Sequence, residues 1–227
     1  MHKKISKFIS DTFYEGNLLD DENIEANTTN EECLKYHAFQ ALTYYDLESE
    51  ESFDKNSFYN EDQILLIIEL YKMLKEIYGT EKLSEKLAII SPYSNQVYRI
   101  KENIKNLEGK DVCPIEVNTV DGFQGKEKTI VIFSTVRSKG SKSVGFLKDE
   151  RRMNVGLSRA KSCLIVIGDS KKLILDSNWE KLVKYAFRSA TFYKVKGKIK
   201  NFFDNFNENY KKYQVQNEQD FGNKVFN

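Results

Sequence analysis

The chain has 227 residues, 40% hydrophobic, 13% aromatic and 30% charged, which is enough apolar mass for a packed core and excludes a wholly disordered chain. Its 35 basic and 34 acidic residues leave a net charge of +1, so total charge does not mark a nucleic-acid binder. Cys33, Cys113 and Cys163 are far apart and form no C-x-x-C, and His2 and His37 lack partners at metal spacing. A disulfide framework and a metal site are therefore disfavoured. No apolar run approaches the ~20 residues of a membrane span, and no apolar h-region follows the N-terminal basic residues.

Charge is balanced in sum but not in place. Between Asp11 and Asp62 fifteen acids stand against two lysines, while between Lys171 and Lys212 eleven bases stand against four acids. The acidic arm reads as a solvated surface. The basic end is suited to meeting phosphates.

Ile5, Phe8, Ile9 and Phe13 fall at helical spacing. Polar loops are expected over 17–37 and 47–59, with a strand between them at Ala38–Asp46. Asn60 is placed to cap a long helix whose stripe runs from Ile64 to Ile77 and which Gly79 closes. From there strands and helices alternate. Leu87–Ile90, Ile115–Val120, Thr129–Ser134 and Leu164–Gly168 read as strands, two of them apolar enough to be buried on both faces. Helices are expected from about Ser94 to Leu107 and over Asp149–Lys161. This rhythm predicts an α/β, doubly wound parallel sheet, which binds ligands at the carboxyl ends of its strands. The compact domain is expected over 1–188. The tail over 189–227 is basic and aromatic, with a helix around Phe202, Phe203, Phe206 and Tyr210 and frayed last residues.

Two stretches carry chemistry. In Asn118–Lys128, Gly122 and Gly125 flank Phe123 and Gln124 and let the backbone approach a ligand. Thr119 and Gln124 offer neutral polar groups, and Glu127 offers an acceptor for a ribose hydroxyl. In Asp149–Lys161, Arg152 and Arg159 lie seven apart and would share one face of a continuous helix, a surface suited to polyphosphate or a nucleic-acid backbone. Each stretch alone reads more readily as a turn or a solvated face.

Taken together they closely resemble motifs V and VI of superfamily 1 helicases, in the branch of the nonsense-mediated-decay helicase and senataxin. The resemblance runs through Thr119–Lys128, Val136-Arg137-Ser138 and Arg151–Lys161. Ser91–Gln96 is similar to motif IV, and Met1–Leu18 to the segment after motif III. Ser143–Asp149 is closest to the senataxin side. The resemblance covers Met1 to about Arg188. It implies a RecA-like domain of the P-loop NTPase type, the second of two motor domains. Arg159 would be an arginine finger for ATP, with Gly125 and Glu127 near the nucleotide. Pro92, Tyr93, Thr119, Val120, Gln124 and Arg152 would meet single-stranded RNA or DNA. The family often reads Ala-Leu-Thr-Arg where this chain has Gly156-Leu157-Ser158-Arg159.

The chain departs from a whole motor in two respects. It contains no G-x-x-x-x-G-K-[ST] loop, and its Glu-Glu pairs follow polar sequence rather than an apolar strand. ATP and Mg²⁺ are therefore expected to bind only together with a first RecA-like domain, and this chain alone is expected to be inactive. It starts inside a motif, as if an N-terminal half were missing. An intracellular, nuclear site of action follows from the resemblance, with no membrane association. The alternative function is a non-catalytic module that binds nucleic acid or protein.

Overall fold

A computed structural model describes residues 1–20, 22–139, 143–196, 198–199 and 202–203. Helix α1 (Lys3–Phe13) opens the chain, and the Nδ1 of His2 caps it by accepting from the Lys4 N–H at 3.1 Å. A short helix α2 (Ile24–Thr28) leads to strand β1 (Leu42–Asp46). The strands β2 (Ser52–Asp54) and β3 (Ser57–Tyr59) then form a hairpin, followed by helices α3 (Glu61–Tyr78) and α4 (Thr80–Lys86). Next come β4 (Leu87–Ser91), α5 (Ser94–Glu108), β5 (Glu116–Thr119) and β6 (Lys128–Ser134). The described chain ends with α6 (Glu150–Leu157), β7 (Ala160–Gly168), α7 (Ser170–Leu173), α8 (Ser177–Arg188) and β8 (Phe192–Lys194).

Six strands make one parallel sheet in the order β5-β4-β6-β7-β1-β8. The central strands bury both faces, so two apolar layers form. Ile89, Ile132 and Ile165 pack against α3, α4 and α5. Ala88, Val131, Phe133 and Val166 pack against α1, α6 and α8. Helices on both faces of a parallel sheet make the expected RecA-like, doubly wound architecture. Each crossover helix returns the chain from the carboxyl to the amino edge, so the loops after strands gather on one rim.

Asn60 caps α3 as expected: its side chain accepts from the Gln63 N–H at 3.0 Å, and Gly79 closes the helix at φ +73.

Four boundaries differ from the sequence reading. Strand β1 starts at Leu42 rather than Ala38. The polar stretch before Asn60 holds the β2–β3 hairpin, whose two-residue turn, Lys55-Asn56, has φ +49 and +58 as a type I′ turn requires. The helix expected over Asp149–Lys161 stops at Leu157, because Ala160 and its successors pair with β6 and the Lys128 N–H donates to the Arg159 carbonyl at 3.0 Å. The sheet continues past residue 188. Phe192–Lys194 pairs with β1, and the Phe192 ring stacks on Tyr44 at 5.4 Å. Phe202 and Phe203 pack edge-on against Tyr45, whereas Phe206, Tyr210 and the remaining tail lie outside the described residues.

Two buried acids sit at the carboxyl ends of neighbouring strands. Asp46 ends β1 and accepts from the Ser170 N–H at 2.8 Å, while Asp169 follows β7 and accepts from the Lys171 N–H at 3.1 Å. Burial, with the nearby Asp46 charge, pushes the Asp169 carboxyl up to about 6. An unfolded carboxyl titrates near ~3.9, so between about pH 4 and 6 the folded state holds the extra proton and stability falls as pH rises. Asp169→Asn keeps the cap without the charge. Thermal melts are expected to show the variant more stable than the parent at pH 7.5, with the gap closing at pH 4.5.

Candidate functional site

The expected site residues fall on two opposite edges of the sheet. Pro92, Tyr93, Thr119 and Val120 follow the carboxyl ends of β4 and β5, where the sequence reading puts ligands. Gly125, Glu127 and Arg159 lie instead at the amino ends of β6 and β7. Parallel strands require this split. The chain leaves β5 at one edge and must join β6 at the other, and residues 120–127 make that crossing. Arg152 and Arg159 do not share a helical face. Arg152 sits in the first turn of α6, and Arg159 follows the end of that helix, about 10 Å further along its axis.

At the amino edge the Arg159 guanidinium is held by neutral oxygens. Its Nε donates to the Val155 carbonyl at 2.8 Å, and its two terminal nitrogens donate to the Lys126 carbonyl at 3.3 Å and Ser158 Oγ at 3.4 Å. It is half-buried and outside both apolar layers. Beside it, Glu127 pairs with Lys161 at 2.7 Å. The Lys161 hydrogen bond, with Arg159 adding its charge, holds the Glu127 carboxyl below the usual range. Gly125 adopts φ +80, which an L side chain rarely accepts, and nothing lies within 4 Å of where its Cβ would be. His2 reaches this edge too, its N–H donating to the Lys161 carbonyl at 2.6 Å.

At the carboxyl edge Thr119 Oγ1 accepts from the Gly122 N–H at 3.1 Å and shapes the turn after β5. Asp121 grips Arg152 in a two-point pair, at 3.1 and 3.0 Å. Gln124 is exposed and borders a recess of about 150 Å³ with Val120, Asp121 and Arg152. Tyr93 is buried, and burial pushes its phenol up to about 12. A larger groove of about 300 Å³ opens beside it, between Pro92, Thr119, Phe146 and the β2–β3 hairpin.

Beneath that groove is a set of residues to which the sequence reading gave no role in a site. Arg137 and Glu51 form an ion pair at 3.3 Å, with side chains only 7% and 8% exposed. The Arg137 guanidinium also lies 4.1 Å from the Phe58 ring centre. Asn60 Nδ2 donates to Ser49 Oγ, the Val136 carbonyl and Ser138 Oγ, and its N–H donates to Gln96 Oε1. Gln63 Oε1 accepts from Ser134 Oγ and the Val136 N–H. The available signal was the Val136-Arg137-Ser138 triplet after a buried strand. Its partners at Glu51 and Asn60 lie some 80 residues earlier, beyond any local pattern.

Comparison with known proteins gives the family of the chain. A family described as an AAA domain (AAA_12) matches residues 1–171. The probable helicase MAGATAMA 3 of Arabidopsis thaliana is 39% identical over 208 residues, covering 89% of this chain and 25% of that protein. Helicase SEN1 of Saccharomyces cerevisiae is 36% identical over 207 residues, covering 87% of this chain and 9% of that protein. The ATP-dependent helicase NAM7 of the same yeast is 30% identical over 189 residues, covering 81% of this chain and 19% of that protein. The chain belongs to the AAA-domain family of superfamily 1 helicases, in the senataxin-like branch. It corresponds to their C-terminal RecA-like domain and spans a quarter or less of the length of these relatives. A solved C-terminal domain of a possible DNA helicase from Lactobacillus plantarum aligns at a TM-score of 0.44 and 11% identity, over 73% of this chain and 84% of that one. The fold assignment rests on the sheet topology and the family match.

One departure from the helicase pattern has a physical reason. A Cβ on Gly156 would collide with the Phe133 ring, which is itself packed against Trp179 at 5.9 Å. Alanine there would gain about 1 kcal/mol in helix propensity but would overpack the layer under α6, at about 1–3 kcal/mol. Gly156→Ala is therefore expected to lower the stability of this helicase domain in a urea titration.

Proposed function

We propose that this chain is the C-terminal motor domain of an ATP-dependent RNA or DNA helicase, supplying the arginine finger Arg159 and part of the single-strand track. The observation that carries this reading is the state of Arg159. Its bonds fix the guanidinium by neutral oxygens alone, and no carboxylate among the described residues pairs with it. A cation held in place but not neutralised can stabilise negative charge developing on a transferred phosphoryl group without first breaking an ion pair. Glu127 offers an acceptor for a ribose hydroxyl, and the unhindered backbone at Gly125 allows close approach.

The donor set at this edge fits one side of a nucleotide only. The sequence has no phosphate-cradling Gly-Lys loop, and no cluster of three His, Cys, Asp or Glu among the described residues could hold a metal. ATP and Mg²⁺ would therefore be held mainly by a first RecA-like domain, with Arg159 completing the pocket. At the opposite edge Pro92, Tyr93, Thr119 and Val120, with Gln124 and Arg152 beside them, would face a single strand through contacts mostly to its backbone. Such binding is salt-sensitive and reads little sequence. Action on transcripts in the nucleus is part of the same proposal.

The test mixes this chain with a first motor domain from a related helicase and measures ATP turnover with single-stranded RNA. Turnover is expected to appear only in the mixture. Arg159→Ala is expected to reduce it about 10³-fold or more while RNA affinity holds within about twofold. ATP hydrolysis by the chain alone, or stimulation that survives Arg159→Ala, would contradict the reading. RNA affinity with no stimulated turnover would favour a non-catalytic binding module.

A further inference from the structure

The groove at the carboxyl edge holds a feature that helicase membership does not supply. Phe53, Phe58, Tyr93 and Phe146 form a continuous row, with successive ring centres 4.8, 5.8 and 6.0 Å apart. The inner two rings are largely covered. The outer two are open, Phe53 at 61% and Phe146 at 60%. Two large aromatic faces therefore stand in water at the ends of a row, across a recess of about 300 Å³.

The row is built rigidly. The β2–β3 hairpin is tied to the first turn of α5, with Asn95 Nδ2 donating to the Asp54 carbonyl at 2.9 Å and the Asn95 N–H to Ser57 Oγ at 3.2 Å. Arg137, itself paired with Glu51, lies against the Phe58 ring. The hairpin that carries Phe53 is thus held in place before any ligand arrives, which lowers the ordering cost of binding.

Charge around the groove is largely paired. Asp121 is matched by Arg152, and Asp54 shares Arg99 with Glu61, at 3.5 and 2.7 Å. Lys55, at the hairpin turn, makes no ion pair among the described residues; its ammonium rests 5.1 Å from the Tyr98 ring centre. Each of these acids has a cationic partner, and among the described residues Lys55 has no acidic one. An aromatic floor with paired acids and a lysine at the neighbouring hairpin turn suits a stacked nucleobase whose phosphates pass outside.

We infer that this groove takes one unstacked nucleobase of a single strand, which stacks on Phe53 with Phe146 as the opposite wall. This rests on the proposed track at Pro92, Tyr93 and Thr119 and adds to it a base contact made by a hairpin. The contact is to the π-face, so it is tolerant of base identity.

The test is fluorescence anisotropy of the 227-residue chain with a fluorescein-labelled 12-nucleotide uridine strand and with an all-abasic strand of the same length. The parent is expected to bind the uridine strand about tenfold tighter than the abasic one, the range of one stacking contact. Phe53→Ala is expected to lose that difference, leaving abasic binding and the salt slope unchanged. Phe53→Trp is expected to keep it, which separates stacking from a folding defect. Binding of the uridine strand that is indifferent to Phe53→Ala would overturn the inference and leave the track standing. So would a loss equal on both strands, which would leave the groove to a protein segment. No binding of either strand at low salt would overturn the inference and the track together.

Discussion

Val136 has a backbone conformation that a β-branched residue rarely accepts, φ +66, and both of its peptide groups are held by side chains from another element. Its N–H donates to Gln63 Oε1 at 2.9 Å and its carbonyl accepts from Asn60 Nδ2 at 3.1 Å. Such strain persists only where the surroundings over-determine it. Here the surroundings are the start of α3, the start of α5 through Gln96, and the buried pair Arg137–Glu51. Removing one member of a buried ion pair leaves an uncompensated charge, at about 3–5 kcal/mol. The chain's exit from β6 is therefore fixed, and with it the hairpin, Tyr93 and the groove between them.

Two edges follow from one topology. A parallel sheet sends every strand out at one rim and back in at the other, so a stretch such as residues 120–127 must touch both. It begins beside Thr119 at the carboxyl edge and ends at Gly125 and Glu127 beside Arg159. The crossing is only eight residues and is anchored midway by the buried Phe123. Under the proposed function, a shift at the nucleotide edge would have little slack before reaching the strand edge. Helix α6 gives a second short link, with Arg152 near one edge and Arg159 just past the other.

The buried strands were legible because double-sided burial writes unbroken apolar runs such as Thr129–Ser134 and Leu164–Gly168. The cap at Asn60 was legible because capping is local. The hairpin was not, since Glu48–Tyr59 is dominated by charges and its signal is a bare Lys55-Asn56 turn with no glycine. Strand β8 is three residues in a basic tail, and only its partner β1 makes it a strand. The end of α6 was misplaced because helical periodicity carries on through Ser158-Arg159, whereas pairing with β6 takes the chain from Ala160 onward. Motif residues were recognisable by their order, but which edge each occupies depends on strand direction, and that is a property of the folded sheet. The Arg137–Glu51 pair and the aromatic row join residues far apart in sequence, so no window could contain them.

Native-state hydrogen exchange at the Val136 amide tests most directly whether the buried network fixes the exit of β6. If it does, this amide exchanges only by global opening, as slowly as those of Val131 and Ile132 in the strand before it, and Gln63→Ala raises its rate by orders of magnitude while leaving those two less affected. Exchange in the unaltered protein as fast as at Gly125, an exposed turn residue, would contradict the account.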